Sequence, residues 1–246
     1  MSNTARVIGI SIGLVLVASM MVGAVLWGMA MRPSDAPCKA ITYIIEDKDE
    51  RLYVTEGELT QVLITENIYP VGRAIDRGLL HRIESAMRRH PMIRTAECYT
   101  TPRHEVRVRV TQRVPLLRVY KPGDAFIIDT DRKVMPVRAS IQDSVLVATG
   151  AVGIQIASET LADFAQWLQR NTYWQARIDH VYVQSPQKIY LYLKGTPTRV
   201  VLGTMTGYER KLAKLRTFME NSPEQVKAKQ YTELDLRYKG QVIGRK

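Results

Sequence analysis

The residue types that most often do chemistry are scattered along this chain. None of the four histidines stands with another histidine, a cysteine or a carboxylate at a metal-ligand spacing; they are His81, His90, His104 and His180. The chain also lacks a Gly-x-Ser-x-Gly elbow, a Gly-x-Gly-x-x-Gly loop and a Gly-Lys-Ser/Thr phosphate loop. Catalytic groups can converge from distant positions, so missing motifs lower the odds of an enzyme without excluding one. We predict no catalytic residues, no metal, no cofactor and no small-molecule substrate.

A row of arginines is the strongest charge feature, with Arg103, Arg107, Arg109, Arg113 and Arg118. The whole chain is basic, because 35 lysines and arginines exceed 24 acidic residues by 11. Such a row invites a nucleic-acid interpretation. However, the arginines alternate with valines, as in a half-buried strand, and no stacking aromatics stand between them. The pattern therefore predicts the solvated face of an amphipathic strand and no nucleic-acid partner.

The chain has only two cysteines, Cys38 and Cys98. A bridge between them would close a loop of about 60 residues and would require Cα atoms within about 7 Å. The alternative is two free thiols, one half-exposed and one buried. The sequence leaves both possibilities open.

The segment Val7–Met31 carries no charge over 25 residues. As a helix it measures about 37 Å, which exceeds the roughly 30 Å hydrocarbon core of a bilayer. Signal-peptide cores have about 7–15 apolar residues, so a permanent anchor is favoured over cleavage after Gly28-Met29-Ala30. We predict a single-pass protein of the cytoplasmic membrane, with residues 1–6 in the cytoplasm, 7–31 spanning, 32–40 as a linker and the bulk in the periplasm.

The remaining residues predict an α+β fold in two units. In the first unit, Thr55 and Glu58 stand at capping-box spacing before one helix, and Asp76 can cap a second. Three apolar or alternating segments predict strands, namely Ile41–Glu46, Ile93–Tyr99 and Glu105–Val110. The order of this unit is therefore β-α-α-β-β.

The second unit is rich in strands, with inserted helices. Ser158 and the pair Thr206 and Glu209 are candidate caps for two helices. The last element is Leu234–Tyr238 followed by Val242-Ile243, a strand interrupted at Gly240. The other predicted strands are Leu116–Tyr120, Phe126–Asp129, Val145–Ala148, Ile178–Val183, Ile189–Leu193 and Arg199–Leu202.

Several segments in this order resemble the FtsQ/DivIB family of bacterial cell-division proteins. They are Thr111–Pro115, Phe126–Asp129, Met135-Pro136, Val147–Gly150, Tyr173–Ile178 and Asp235–Val242. The resemblance implies a POTRA domain over residues 41–115 and a β domain over residues 116–246. It also implies a non-enzymatic divisome scaffold that binds FtsB and FtsL, links early and late division proteins, and helps control septal peptidoglycan synthesis. The protein would be enriched at the division septum.

Two other function classes compete with this interpretation. One is a membrane-anchored POTRA-type accessory factor of protein export or outer-membrane assembly. A pore itself is disfavoured, because a spanning barrel strand needs about 9–11 residues and the second unit is too short for many of them. The other is an anchored periplasmic enzyme of the cell wall, for which no nucleophile or acid–base pair stands out.

The terminal strand is the predicted partner-binding site. Alternation places Leu234 and Tyr238 on one face, and little chain follows that could cover the backbone edge. The resemblance implies that a short FtsB segment adds to this strand, with Tyr238 as an aromatic anchor and Arg237 pairing with an acidic partner residue. The alternative is that Tyr238 only packs within the sheet. The predicted site residues are Asp235, Leu236, Arg237, Tyr238, Gly240 and Gln241.

Overall fold

A computed structural model of the chain describes residues 17, 19–23, 36–47, 52–139, 141, 145–221 and 231–246. These residues form two units that follow one another along the chain. Each unit contains both helices and strands.

The predicted membrane localisation is contradicted by the structure. Within the described ranges, no helix is long and apolar enough to cross a membrane. A crossing helix needs about 20 consecutive apolar residues, whereas the described helical residues of the predicted anchor are Val17 and Ser19–Gly23. The rest of Val7–Met31 lies outside the described residues. The localisation as a single-pass membrane protein is therefore withdrawn.

The N-terminal unit has the predicted order β-α-α-β-β. Its elements are β1 (Ala40–Ile45), α1 (Glu56–Thr65), α2 (Arg77–Arg89), β2 (Ile93–Thr100) and β3 (Glu105–Gln112). The strands form a sheet in the order β1-β3-β2, in which β1 is parallel and β2 antiparallel to the central β3. A parallel pair needs a long crossover, and the connection from β1 to β3 contains both helices and β2.

Both predicted helix caps of this unit are present. The Thr55 hydroxyl accepts from the Glu58 amide at 3.2 Å, and the Glu58 carboxylate accepts from the Thr55 amide at 2.9 Å. The Asp76 carboxylate accepts from the Leu79 amide at 2.6 Å. These bonds satisfy backbone donors that a helix leaves free in its first turn. Apolar faces of the helices then pack on the sheet, burying Leu59, Leu63, Ile83, Met87, Val106, Val108 and Val110.

The C-terminal unit is built on one nine-stranded sheet, in the order β12-β11-β10-β9-β8-β7-β4-β5-β6. Its strands are β4 (Pro115–Lys121), β5 (Asp124–Asp129), β6 (Val134–Pro136), β7 (Leu146–Gly150), β8 (Ile178–Ser185), β9 (Lys188–Leu193), β10 (Arg199–Gly203), β11 (Glu233–Asp235) and β12 (Ile243–Arg245). The sheet therefore ends in two three-residue strands, β6 and β12.

Helices pack on one face of this sheet. They are α3 (Ile154–Ile156), a π-helical segment (Ala157–Leu161), α4 (Ala162–Gln169), α5 (Thr172–Gln175) and α6 (Tyr208–Asn221). Ser158 is not the cap that the sequence predicted, because the helix already begins after Gly153 and Ser158 lies inside the π-helical turn. Phe164 and Tyr208 join α4 to α6 through an edge-to-face contact of 5.1 Å between ring centroids.

The two units share a buried interface. Ile127, Met135 and Ile141 of the C-terminal unit are buried in the apolar core of the N-terminal unit. Two ion pairs cross at the same place. Arg94 Nε lies 2.6 Å from Asp131 Oδ2, and Arg138 Nη1 lies 2.7 Å from Glu58 Oε1. The β6 end of the large sheet is thus packed against the neighbouring unit.

Candidate functional site

The predicted terminal strand is shorter than expected and is not an edge. β11 ends at Asp235, and it pairs in parallel with β10 on one side and antiparallel with β12 on the other. The chain reverses at Gly240, whose φ of 74° lies in the left-handed region that glycine adopts without strain. The prediction of a free edge on Leu234–Tyr238 is therefore wrong, because the returning chain covers it.

The free edge belongs to β12. Among the described residues this strand pairs with β11 alone. All three of its residues are exposed, and Ile243 is 36% accessible. An unpaired strand edge presents a row of backbone donors and acceptors that another chain can pair with.

Asp235 organises the turn between β11 and β12. Its carboxylate is fully buried and accepts from Arg237, at 3.0 Å from the backbone amide and 2.6 Å from Nη2. Burial acts to raise the pKa of Asp235, but the hydrogen bonds and charge of Arg237 outweigh it and lower the pKa below its usual value. Arg237 thus already pairs with Asp235 of the same chain. An acidic partner residue, as predicted, would have to compete with Asp235 for the Arg237 guanidinium.

A second buried carboxylate links three strands. Glu233 on β11 lies 2.5 Å from Arg199 on β10 and 3.2 Å from Arg245 on β12. Hydrogen bonding to Glu233 raises the pKa of Arg199 above its ordinary value. The charges fix the last three strands to one another beside the free edge.

Gly203 makes room for the Arg237 side chain. A Cβ at this position would lie 2.8 Å from Arg237 Cγ, which is closer than real contacts allow. Gly203 also has a φ of 76°. The aliphatic part of the Arg237 side chain therefore packs against the end of β10. From this position the Arg237 guanidinium reaches the Asp235 carboxylate.

Lys214 on α6 also contacts the turn between β11 and β12. Its ammonium donates to the carbonyl oxygens of Leu236, at 3.0 Å, and Tyr238. Desolvation lowers the pKa of Lys214 below its ordinary value. Sequence reasoning missed this residue, because no local pattern connects a helical lysine to carbonyls more than twenty positions later. It also placed Val242-Ile243 in one interrupted strand with Leu234–Tyr238, whereas the chain reverses at Gly240 and β12 is a separate antiparallel strand.

The six predicted site residues divide into two groups. Asp235 and Leu236 are buried, with 0% and 1% exposure, so neither side chain is available to a partner. Arg237, Tyr238, Gly240 and Gln241 are exposed on the turn, next to β12. Tyr238 is 48% exposed and is the largest apolar surface there. Whether any of these residues binds a partner stays a prediction.

The arginine row predicted as one solvated face is split by the fold. Arg113 Nη1 lies 2.7 Å from the buried Asp129 carboxylate, and Arg118 donates to the Ile141 carbonyl at 2.6 Å. Only Arg107 and Arg109 alternate outward from β3 as predicted. The row ends at the junction of the two units, so it does not form one continuous surface.

The two cysteines are both free and buried, with 2% exposure for Cys38 and 9% for Cys98. The predicted half-exposed thiol is therefore wrong. Burial raises the pKa of Cys98 to about 12, and the charges of Glu84 and Cys38 act in the same direction. Cys38 Sγ donates to the Ala40 carbonyl at 3.2 Å. Both side chains belong to the apolar core of the N-terminal unit.

The comparisons with known proteins cover both units. Residues 36–111 match a POTRA-like domain, and residues 114–245 match the family model described as FtsQ/DivIB, C-terminal related. Both are non-enzymatic scaffold families. A search of curated proteins gives no match. Since the second model alone matches more than half of the 246 residues, the chain belongs to the FtsQ/DivIB family.

Proposed function

We propose that the chain is a scaffold of the cell-division machinery that links early and late division proteins and helps control septal peptidoglycan synthesis. Family membership supports a role in cell division. A scaffold acts through docking surfaces, and the unpaired strand edge at the end of the large sheet supports such a role. FtsB-type and FtsL-type proteins are the proposed partners.

The free edge of β12 is the observation that carries this proposal. It ends the nine-stranded sheet, its three residues are exposed, and it contains no proline that would block pairing. A partner segment in extended conformation adds as a tenth strand, and its backbone bonds supply affinity without requiring a particular sequence. We assign this strand to the FtsB-type partner.

The adjacent turn adds side-chain specificity. Tyr238 is exposed beside the edge, and aromatic residues of this kind often dominate binding energy at interfaces. Lys214 holds the Leu236 and Tyr238 carbonyls, and the Asp235–Arg237 pair holds the backbone just before Tyr238. Such preorganisation lowers the conformational entropy that binding would otherwise cost.

A matched pair of lysine substitutions tests the edge. Natural proteins protect edge strands with lysine, so Ile243→Lys on β12 is expected to weaken the affinity for an FtsB-type segment about tenfold. Val134→Lys on β6 introduces the same residue at a similarly exposed site, 43% accessible, on the other end of the sheet. It is expected to leave the affinity unchanged. Isothermal titration with the full chain measures both, and equal affinities for the two variants would refute the β12 assignment.

A second pair tests the aromatic anchor. Tyr238→Ala is expected to weaken partner binding, whereas Tyr120→Ala, at a tyrosine of 42% exposure on β4, is not. Thermal unfolding of each variant establishes that the sheet is intact. If Tyr238→Ala binds as tightly as the parent chain while Ile243→Lys does not, the edge assignment stands and the anchor assignment fails.

A further inference from the structure

Helix α2 of the POTRA-like unit has a strongly basic exposed face. Its apolar residues Leu79, Ile83 and Met87 are buried on the sheet. On the remaining surface of the helix, five basic side chains are exposed. We call this surface the basic face of α2, and it consists of Arg77, His81, Arg82, Arg88 and Arg89.

Much of this charge is not neutralised. Arg88 pairs with Glu84 at 3.2 Å, and Arg89 pairs with Glu66. Within the part of the chain that the structure describes, Arg77 and Arg82 have no carboxylate within 4.0 Å. These two guanidinium groups, five residues apart and so about 140° apart around the helix, have no counterion among the described residues.

A cleft of about 410 Å³ opens beside Arg82. It runs between the end of α1 and the second half of α2. The lining residues are Glu66, Asn67, Ile68, Arg82, Ser85 and Arg89. Glu66 already pairs with Arg89, whereas the Arg82 guanidinium and the Ser85 hydroxyl have no acceptor among the described residues and are available to an incoming one.

The other basic surface of the same unit is different. On β3, Arg109 lies 3.5 Å from Glu46 and faces Glu97 across the strand pair. Arg107 shares that strand with Glu105. Acidic residues are thus interspersed among the arginines of the sheet, whereas the exposed face of α2 between Arg77 and Arg82 has none. The unit has two arginine surfaces, and only one has an unbalanced charge.

We propose that the basic face of α2 binds an acidic segment of a protein partner. Carboxylates of that segment pair with Arg77 and Arg82, whose planar guanidinium groups match two carboxylate oxygens. One acidic side chain enters the cleft and also accepts from Ser85. The 13-residue helix is about 20 Å long, which an extended segment of about six residues covers. This surface and the β12 edge lie on different units, so the proposal does not depend on the proposed function.

Charge reversal on the two arginine surfaces tests the proposal. The probe is a fluorescein-labelled oligo-glutamate peptide of about six residues, the length that covers the helix face, titrated with the full chain by fluorescence anisotropy. The double variant Arg77→Glu and Arg82→Glu is expected to weaken binding at least about tenfold. The control Arg103→Glu and Arg107→Glu changes the net charge equally on exposed positions elsewhere in the unit, and is expected to weaken binding less than about twofold.

Three outcomes would overturn the proposal. Equal weakening by both double variants means that the peptide responds to net charge alone. Absence of binding to the parent chain means that the surface does not recognise carboxylates. Tighter binding of inorganic tripolyphosphate, lost in the α2 variant, means that the surface is a phosphate site. Unchanged thermal unfolding of both variants, which alter exposed residues only, confirms that binding differences do not arise from misfolding.

Discussion

The two ends of the nine-stranded sheet differ although both are strands of three residues. At one end, β6 has its central Met135 buried and carries Pro136, which lacks a backbone donor. Met135 is buried in the core of the N-terminal unit together with Ile127 of β5 and Ile141. At the other end, β12 is exposed along its whole length and contains no proline. One edge is protected, and the other is available.

A buried aspartate paired with an arginine stands near each end. Asp129, next to β6, accepts from Arg113 at 2.7 Å and from the Lys133 amide at 2.6 Å. Asp235, next to β12, accepts from Arg237. The first pair joins the unit boundary to the β5–β6 turn, whereas the second holds an exposed turn in place. Similar buried ion pairs therefore stand at the protected end of the sheet and at the exposed turn.

The largest effect on the free energy of unfolding is expected at the β6 end of the sheet. Asp129→Ala leaves Arg113, whose side chain is only 16% exposed, without its counterion, so the free energy of unfolding falls by about 3 kcal/mol. Asp131→Ala removes a more exposed pair with Arg94 and costs less than about 1 kcal/mol. Urea denaturation measures both. Equal losses would show that burial does not distinguish the two pairs.

At the β12 end of the sheet, Asp235→Asn is expected to lower the free energy of unfolding by about 2 kcal/mol at pH 7. The pKa of Asp235 is lowered in the folded state, so its stabilisation is complete above the unfolded pKa and is lost as pH falls through the folded pKa. The difference between parent and variant should therefore shrink below about pH 4. Chemical denaturation at a series of pH values tests this, and a constant difference would contradict it.

Alanine substitutions at two turn glycines distinguish an effect on stability from an effect on partner binding. Gly240 in the β11–β12 turn and Gly123 in the β4–β5 turn have φ values of 74° and 77°, and a Cβ would meet no atom within 4 Å at either. Each substitution by alanine is expected to cost about 1.5 kcal/mol through backbone strain alone. Only Gly240→Ala should also weaken partner affinity. Thermal unfolding and binding are measured on the same samples, and loss of affinity in both variants would count against the local explanation.

The smallest effect is expected from Lys214→Met, about 1 kcal/mol in the free energy of unfolding. Its control is Lys211→Met, because Lys211 on the same helix donates to the carbonyls of Leu202 and Thr204 instead. The two variants should be similarly stable. Only Lys214→Met should lower partner affinity, by about threefold. Equal partner affinity of the Lys214→Met and Lys211→Met variants would show that Lys214 does not contribute to partner binding.

Local patterns in the sequence predicted much of the N-terminal unit. The caps at Thr55 and Asp76 and the apolar faces of the helices depend on residues within four positions of one another. The same reasoning failed at the C-terminus, where Leu234–Tyr238 has strand-like alternation but leaves the sheet after Asp235. Alternation defines the faces of a strand and does not identify its neighbours.

The sequence by itself determined the β-α-α-β-β order, the strand-rich second unit and the resemblance to the FtsQ/DivIB family. Only the tertiary structure decided that β12 is the edge, that Arg237 is paired internally, and that Arg113 belongs to the unit boundary. The β11–β12 pairing and the Arg113–Asp129 pair join segments that are apart in the sequence, whereas the Arg237–Asp235 pair, only two residues apart, depends on the turn that buries Asp235. Helix caps and side-chain periodicity are local, whereas the choice of strand partner and the burial of a charge are set by the assembled core.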